Sequence, residues 1–207
     1  MKEIARLVRV SVSSVSYWVR DVPLTPAQRA ALLRKMSANG RAAAAAGRSA
    51  AARDVRRSYQ EHGRGLARLW VPLHVAGCML YWAEGSKMRN SVQFVNSDPA
   101  MVCYFVRFMR TQYAVSDDAF RLDCNLFADH IARQREIERF WLDTLELPAS
   151  CLRKSTVNVY SKYSQKKRQN RLPYGTVRIC VHSTRVVQSI YGSIQEYGGF
   201  ERPEWLG

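Results

Sequence analysis

Apolar residues recur with two different periods along the chain, and the change of period divides it into segments. Near the N-terminus they recur every three or four positions, which is typical of amphipathic helices. From residue 73 onward, helical segments are separated by short stretches in which every second residue is apolar, as strands require. The order of these segments predicts α-β-α-β-α-β-β-α. We therefore expect an α+β protein whose largely antiparallel sheet is covered by helices on one side.

One predicted strand shows how this sheet would separate its two faces. In residues 120–126 every second residue is apolar, and Arg121, Asp123 and Asn125 lie between them. Across all the predicted strands, the outward residues are Gln93, Arg121, Asn125, Asn158, Tyr160, Arg178 and His182. Because Asn, Gln and Arg side chains can pair with base edges through two hydrogen bonds, this face predicts contact with DNA.

The first twenty residues predict two short helices joined by a tight turn. Ile4, Ala5 and Val8 lie on one helical face, and Ser11 after the break is a good N-cap for a second helix. In that second helix Val15 and Trp18 point the same way. A third helix is predicted to follow, with Thr25 as its N-cap and Pro26 at its first position.

The residues Ile4-Ala5, Val10-Ser11, Val15 and Trp18 resemble a helix-turn-helix segment of the resolvase and repressor type. That family usually has Gly at the turn, and Arg9 stands there, so the turn must accept an awkward backbone. The resemblance implies that the second helix enters the major groove. The residues it would present to DNA are Ser13, Ser14, Tyr17 and Arg20. The alternative is an amphipathic helical pair that packs on the rest of the protein.

Residues 37–68 are rich in Ala and Arg and have little apolar bulk to bury. We expect a partly helical basic linker, interrupted near Asn39-Gly40 and near Gly47. It would either lie along a DNA backbone or serve as a spacer. The predicted domains are therefore 1–36, a helix-turn-helix domain; 37–72, the linker; and 73–207, the α/β domain.

The charge of the chain indicates what kind of partner it binds. The chain has 32 Lys and Arg against 17 Asp and Glu, for a formal net charge of +15. Residues 1–72 carry 14 basic and 4 acidic side chains, and residues 151–185 carry 9 basic and no acidic ones. A surplus of this size favours a polyanionic partner, because each neutralised phosphate releases counterions.

Several protein classes are excluded by simple features. The chain has no uninterrupted stretch of 18 apolar residues, which a membrane-spanning helix would need. Its N-terminus also lacks the apolar core of a secretion signal. The five cysteines are widely spaced and form no CxxC motif, which argues against a disulfide framework and a structural zinc site. We expect a soluble, reduced, cytoplasmic protein of the bacterial type that associates with the nucleoid.

The α/β segment has a motif of its own. A helix ending in Ala83, Glu84 and Gly85, then a strand, then Asn96-Ser97-Asp98-Pro99 opening a helix, resembles a LAGLIDADG homing-endonuclease domain over residues 73–197. The resemblance implies a saddle-shaped sheet over the major groove. It also implies that helices such as 73–85 pair and that their terminal acids bind a divalent metal. With one motif in the chain, Glu84 would be the catalytic and metal-binding residue of a homodimer, with Mg²⁺ as its cofactor.

The segment between the last two strands is the most basic part of this domain. Its cations are Lys162, Lys166, Lys167, Arg168 and Arg171. The segment also contains Tyr160, Tyr163 and Tyr174, and this mixture of basic and aromatic residues suits phosphates and exposed bases. The alternative is a solubilising hairpin tip.

Three functions fit these features. The first is a sequence-specific double-stranded-DNA-binding protein, a transcriptional regulator whose homing-endonuclease-like domain does not cut and needs no cofactor. The second is a Mg²⁺-dependent DNA endonuclease acting as a homodimer. The third, an RNA-binding protein, explains the charge but not the helix-turn-helix. An active centre normally gathers more than one carboxylate, or a lysine, near the scissile phosphate. Lys87 is near Glu84 in sequence, but Asp98 is more simply explained as a helix cap than as a second acid of an active centre. Binding is therefore favoured over cleavage.

Overall fold

Helix caps set the limits of the first elements of the chain. The computed structural model describes residues 2–34, 40–158 and 172–207, which fall into two compact units, one ending at residue 51 (unit 1) and one from residue 52 to 207 (unit 2). The helices of unit 1 are α1 (Lys2–Val8), α2 (Val12–Trp18) and α3 (Pro26–Arg34). The Ser11 hydroxyl accepts the Ser14 N–H at 3.0 Å, so Ser11 is the N-cap of α2 as predicted.

The start of α3 and the turn before α2 also follow the sequence. Thr25 Oγ1 accepts the Gln28 N–H at 3.2 Å, while Gln28 Oε1 accepts the Thr25 N–H at 2.9 Å, which makes a reciprocal capping box. Arg9 has a φ of 54°, so the strained turn expected at this residue is present. Of the apolar residues in α1 and α2, Ala5 and Val15 are buried.

A long helix follows and belongs to both units. Helix α4 (Gly40–Ala67) runs for 28 residues and continues through Gly47. The prediction of an interruption near Gly47 is therefore wrong. Alanines on both sides of this glycine have the highest helix propensity and offset its cost of about 1 kcal/mol. The boundary between the units falls inside the segment predicted as a linker.

Unit 2 has the predicted order of helices and strands. Its elements after α4 are α5 (Pro72–Glu84), β1 (Val92–Asn96), α6 (Pro99–Tyr113), β2 (Phe120–Phe127), α7 (Gln134–Leu145), β3 (Thr156–Asn158), β4 (Thr176–Val181) and α8 (Thr184–Gly198). Short 3-10 turns cover Asp117–Ala119, Ala128–Arg133, Ala149–Cys151 and Pro203–Trp205. No helix in the described part of the chain has the length and apolar character needed to cross a membrane.

The four strands form one mixed sheet in the order β1-β4-β2-β3. The pairs β1–β4 and β4–β2 are antiparallel, and β2–β3 is parallel. The apolar face of the sheet carries fully buried residues such as Phe94 and Leu122, which belong to one core with Phe105, Trp141 and Ile190 of the helices. The overall class is therefore α+β, as predicted, with the sheet's other face free to carry polar side chains.

Helices α4 and α8 approach so closely that glycine is required where they touch. A Cβ atom at Gly63 would overlap the carbonyl oxygen of Ser189, and one at Gly192 would overlap that of Gln60. The Ser193 hydroxyl donates to the Gly63 carbonyl at 2.9 Å across the same contact. The second half of α4 is thus part of the core of unit 2 and not a spacer.

A cluster of polar side chains around His74 is buried inside unit 2. Nδ1 of His74 is 2.8 Å from the Tyr197 hydroxyl, and its Nε2 is 3.2 Å from the Tyr113 hydroxyl. Burial lowers the pKa of His74 to about 4, so its ring is neutral at pH 7. The same burial raises the pKa of the neighbouring Cys78 thiol to about 12. This cluster is a buried hydrogen-bonded part of the core.

Candidate nucleic-acid interface

One face of the sheet collects the side chains that alternate with the apolar core. We call it the polar face. Its members are Gln93, Val95, Arg121, Asp123, Asn125, Phe127, Thr156, Asn158, Thr176, Arg178 and Cys180. Strand pairing places Gln93, Cys180 and Arg121 in one row across three strands. The next row is Val95, Arg178 and Asp123, so Arg178 of β4 lies between an apolar and an acidic neighbour.

Four residues predicted to contact DNA are brought together here. Arg121 and Asn125 lie on β2, Asn158 on β3 and Arg178 on β4, all on the polar face. Arg178 and Asn158 are exposed, and Arg121 and Asn125 are half-buried. Their shared face follows from the period of two in each strand. The face thus presents amide and guanidinium groups side by side.

An ion pair lies near the middle of the polar face. Arg178 Nε donates to Asp123 Oδ1 at 2.9 Å, and the two side chains are 45% and 7% exposed. The second carboxylate oxygen of Asp123 is buried and has no hydrogen-bond partner among the described residues. The sequence identified Asp123 as outward-facing but did not show this pairing, because cross-strand neighbours depend on strand order.

Arg121 is held differently. One of its terminal nitrogens donates to the carbonyl oxygens of Asp118 and Phe120, at 2.6 and 2.7 Å. Its guanidinium is therefore fixed at the start of β2 by the backbone. Beside it in the row, Cys180 is buried, and this burial raises the pKa of its thiol.

A cleft of about 340 Å³ opens where β4 ends and α8 begins. Its polar lining includes Arg121, His182, Ser183 and Arg185. Ser116 also lines the cleft, and its hydroxyl donates to the Asp118 carboxylate at 2.5 Å. Sequence reasoning missed Arg185; the available signal was a basic residue in the first turn of a helix that has no acidic residue there.

The residues predicted to read DNA from unit 1 lie on or just after α2. Ser13, Tyr17 and Arg20 are exposed and Ser14 is half-buried. The Ser11 hydroxyl oxygen lies 2.8 Å from the hydroxyl oxygens of both Ser13 and Ser14, so these serines join the helix cap. Arg20 stacks over the Tyr17 ring, with its central carbon 5.6 Å from the ring centre. Tyr17 and Arg20 are thus the more available pair.

Glu84 is the last residue of α5 and is exposed. Helix α5 ends at Gly85 in an extended conformation, with a φ of −77°. The Lys87 ammonium donates to the carbonyls of Trp82 and Gly85, at 2.9 and 2.7 Å. Lys87 therefore caps α5, and burial lowers its pKa.

Asp98, the acidic residue that follows β1, has a structural role. Asp98 is the N-cap of α6, as predicted, because its Oδ1 accepts the Ala100 N–H at 2.9 Å. Across residues 2–34, 40–158 and 172–207, no three His, Cys, Asp or Glu side chains are grouped so that they could hold a metal ion.

The cations of the basic segment before β4 lie outside the described residues: Lys162, Lys166, Lys167, Arg168 and Arg171. The same holds for Tyr160 and Tyr163. Tyr174 is described, and its ring stacks on Phe140 with 3.7 Å between ring centres. It is therefore occupied within unit 2 and is not free to stack on a base.

No known protein family, curated protein or solved structure matches the chain. We therefore base the functional proposal on the polar face, on α2 and on the distribution of charge.

Proposed function

We propose that this chain is a sequence-specific double-stranded-DNA-binding protein that regulates transcription, and that its homing-endonuclease-like domain binds DNA without cutting it. The observation that carries the proposal is the polar face. It places Gln93, Asn125 and Arg178 on one surface, and these side-chain types form paired hydrogen bonds with adenine or guanine edges.

The rim of the polar face supplies contacts of a second kind. Arg121, His182 and Arg185 line the cleft at the end of β4, where a phosphate of the DNA backbone would be attracted by the charge of the two arginines. Phosphate contacts fix position and orientation, whereas base contacts select sequence. The two sets lie next to each other, as an interface that reads a duplex needs.

Unit 1 adds a second contact in this proposal. Its α1 and α2 would act as a helix-turn-helix, with Tyr17 and Arg20 reaching the major groove. Their exposure and the capped start of α2 support this role. Between residues 22 and 53 the chain has no acidic residue, so the first part of α4 would approach phosphates without repulsion.

Binding is favoured over cleavage by what surrounds Glu84. Lys87, the nearest lysine in sequence, is engaged with the α5 carbonyls, and Asp98 caps α6. The second candidate function is a Mg²⁺-dependent endonuclease that contributes Glu84 from each of two chains paired through residues 73–85. It is supported by the exposed position of Glu84 at the end of α5 and by the exposed Ala76 and Ala83 on this helix.

One experiment separates the two functions. The full chain is incubated with a randomised duplex library, with and without Mg²⁺, and both the retained sequences and any cut ends are sequenced. We expect an enriched site and no Mg²⁺-dependent ends. Ends that require Mg²⁺, disappear in Glu84→Gln and persist in Glu146→Gln would establish the nuclease instead. Glu146 is a suitable control because it is also an exposed glutamate at the C-terminal end of a helix.

A further inference from the structure

We propose that Arg178 recognises a guanine in the major groove and that Asp123 is the positioning residue that orients it. This inference rests on the proposed function, since it assigns one base contact within the polar face. Arg178 lies on β4, which has a strand on each side, and its cross-strand neighbours are Val95 and Asp123. It is therefore surrounded by the sheet and not placed at its edge.

The hydrogen bonding of Arg178 leaves the correct atoms available. Its Nε is engaged by Asp123 Oδ1 at 2.9 Å, and its two terminal Nη groups have no partner among the described residues. A guanidinium held at Nε can still offer both Nη groups as a fork to guanine O6 and N7. Val95 on the other side is apolar and offers no competing side-chain acceptor. The ion pair thus fixes the plane of the fork before DNA binds, which reduces the side-chain conformational entropy lost on binding.

The state of Asp123 indicates a positioning role and not a stabilising one. Its side chain is 7% exposed, and its Oδ2 is buried without a partner in the described part of the chain. Burying a carboxylate oxygen without a hydrogen bond opposes folding. An asparagine or a threonine would fill this position on the strand without that cost, so the carboxylate is better explained by the arginine that it orients.

A base is a better partner for Arg178 than a phosphate. The adjacent carboxylate cancels most of the charge of the guanidinium, so the pair gains little from the general attraction of a polyanion. Arg185 in the cleft forms no ion pair with any described residue and is exposed, which suits a phosphate contact. Replacing the two arginines should therefore have different effects. Loss of Arg178 should reduce the preference for one DNA sequence over another, whereas loss of Arg185 should weaken binding to every sequence.

The test uses the full chain and the duplex enriched from a randomised library. Binding is measured for the enriched duplex and for single-base variants of it, at several salt concentrations, with Arg178→Gln, Arg178→Lys, Asp123→Asn, Arg185→Gln and the control Arg139→Gln. Arg139 is exposed on α7, and its replacement removes the same charge. Thermal melting checks that each variant is folded.

We expect Arg178→Gln to lose preference for guanine at one position by roughly 5- to 150-fold, and Arg178→Lys to lose most of it, because lysine has no fork. Asp123→Asn should reduce the same preference by a smaller factor without lowering the melting temperature. Arg185→Gln should weaken binding to all duplexes alike, and Arg139→Gln should change neither property.

Two results would overturn the inference in different ways. If the wild-type chain enriches a site but Arg178→Gln weakens all duplexes equally, Arg178 contacts a phosphate and the assignment is wrong while the proposed function stands. If the wild-type chain enriches no site, the proposed function fails and the guanine contact fails with it.

Discussion

The two units of this chain bury their apolar residues to very different extents. In unit 2 a single core contains fully buried residues from the sheet and from four or more helices, including Tyr81, Phe105, Trp141 and Tyr191. In the described part of unit 1 the buried residues are Ala5 and Val15. Apolar side chains such as Leu7 and Trp18 are 79% and 56% exposed there. Unit 2 is therefore held by its own packing, whereas unit 1 leaves most of its apolar and basic side chains exposed.

This difference indicates how the two units would read DNA. A rigid sheet can hold an arginine and a carboxylate in fixed register, as the pair Arg178–Asp123 shows. Unit 1 has fewer constraints, and the residues proposed to contact DNA lie on or just after a helix of seven residues, α2. We expect mutations in the core of unit 2 to act first on stability, and mutations of the exposed residues of unit 1 to act first on binding.

The largest expected effect is on the contact between α4 and α8. In Gly63→Ala the new Cβ meets the Ser189 carbonyl, so the backbones must separate, and we expect unit 2 to lose about 3 kcal/mol of unfolding free energy or more. Chemical denaturation measures the loss. Gly65→Ala is the control, because it lies in the same helix with nothing within 4 Å of its Cβ position. If both variants were equally stable, the close crossing would be absent.

Acid should destabilise unit 2 through His74. Its pKa is lowered to about 4 in the folded state, so between about pH 6.5 and 4 the unfolded chain binds the additional proton. The stability is complete above pH 6.5 and falls by about 3 kcal/mol as the pH drops through this range. His74→Gln should remove this dependence, whereas His62→Gln, at an exposed position, should keep it. An unchanged pH profile in His74→Gln would show that other groups cause it.

Substitutions of Tyr17 and Arg20 in unit 1 should change DNA affinity more than stability. Tyr17→Ala and Arg20→Ala should each weaken specific binding by roughly 1–3 kcal/mol if they touch bases, with little change in the melting of unit 2. Titration of the enriched duplex measures the effect, and Arg34→Ala on α3 is a control of the same unit. Unaltered affinity in both Tyr17→Ala and Arg20→Ala would remove the helix-turn-helix interpretation.

The smallest expected effect is the loss of one cap. Ser11→Ala removes the acceptor of the Ser14 N–H and should destabilise α2 by about 1 kcal/mol. Because α2 carries Tyr17, specific binding should fall slightly as well. Circular dichroism and duplex titration measure the two changes. Ser58→Ala is a matched control, since the Ser58 hydroxyl donates to its own helix at Val55 and caps nothing. Equal effects of the two substitutions would contradict a capping role.

Local rules were enough to predict most elements. The caps Ser11, Thr25 and Asp98 and the alternation in β2 follow from residue chemistry and from periods that neighbouring residues set. The strained turn at Arg9 was predicted from a residue that replaces a usual glycine. These features depend on contacts within a few positions along the chain.

Features that join distant segments were not predicted. The continuity of α4 through Gly47 depends on the alanines around it, and the docking of its second half depends on Gly192 and Ser189, more than 120 residues away. The pairing of Asp123 with Arg178 depends on the strand order β4-β2, which no local pattern contains. The cleft with Arg185 likewise arises only where β4, α8 and the turn after α6 meet.

Sequence-specific binding of duplex DNA by the whole chain is tested most directly by comparing two affinities. The enriched duplex and a scrambled duplex of the same composition are titrated with the full chain at about 0.15 M salt, without Mg²⁺. We expect the enriched duplex to bind on the order of 10³-fold more tightly or better, with affinity falling as salt rises. A ratio near one would show that the positive charge attracts DNA without reading it, and would contradict the role assigned to the polar face.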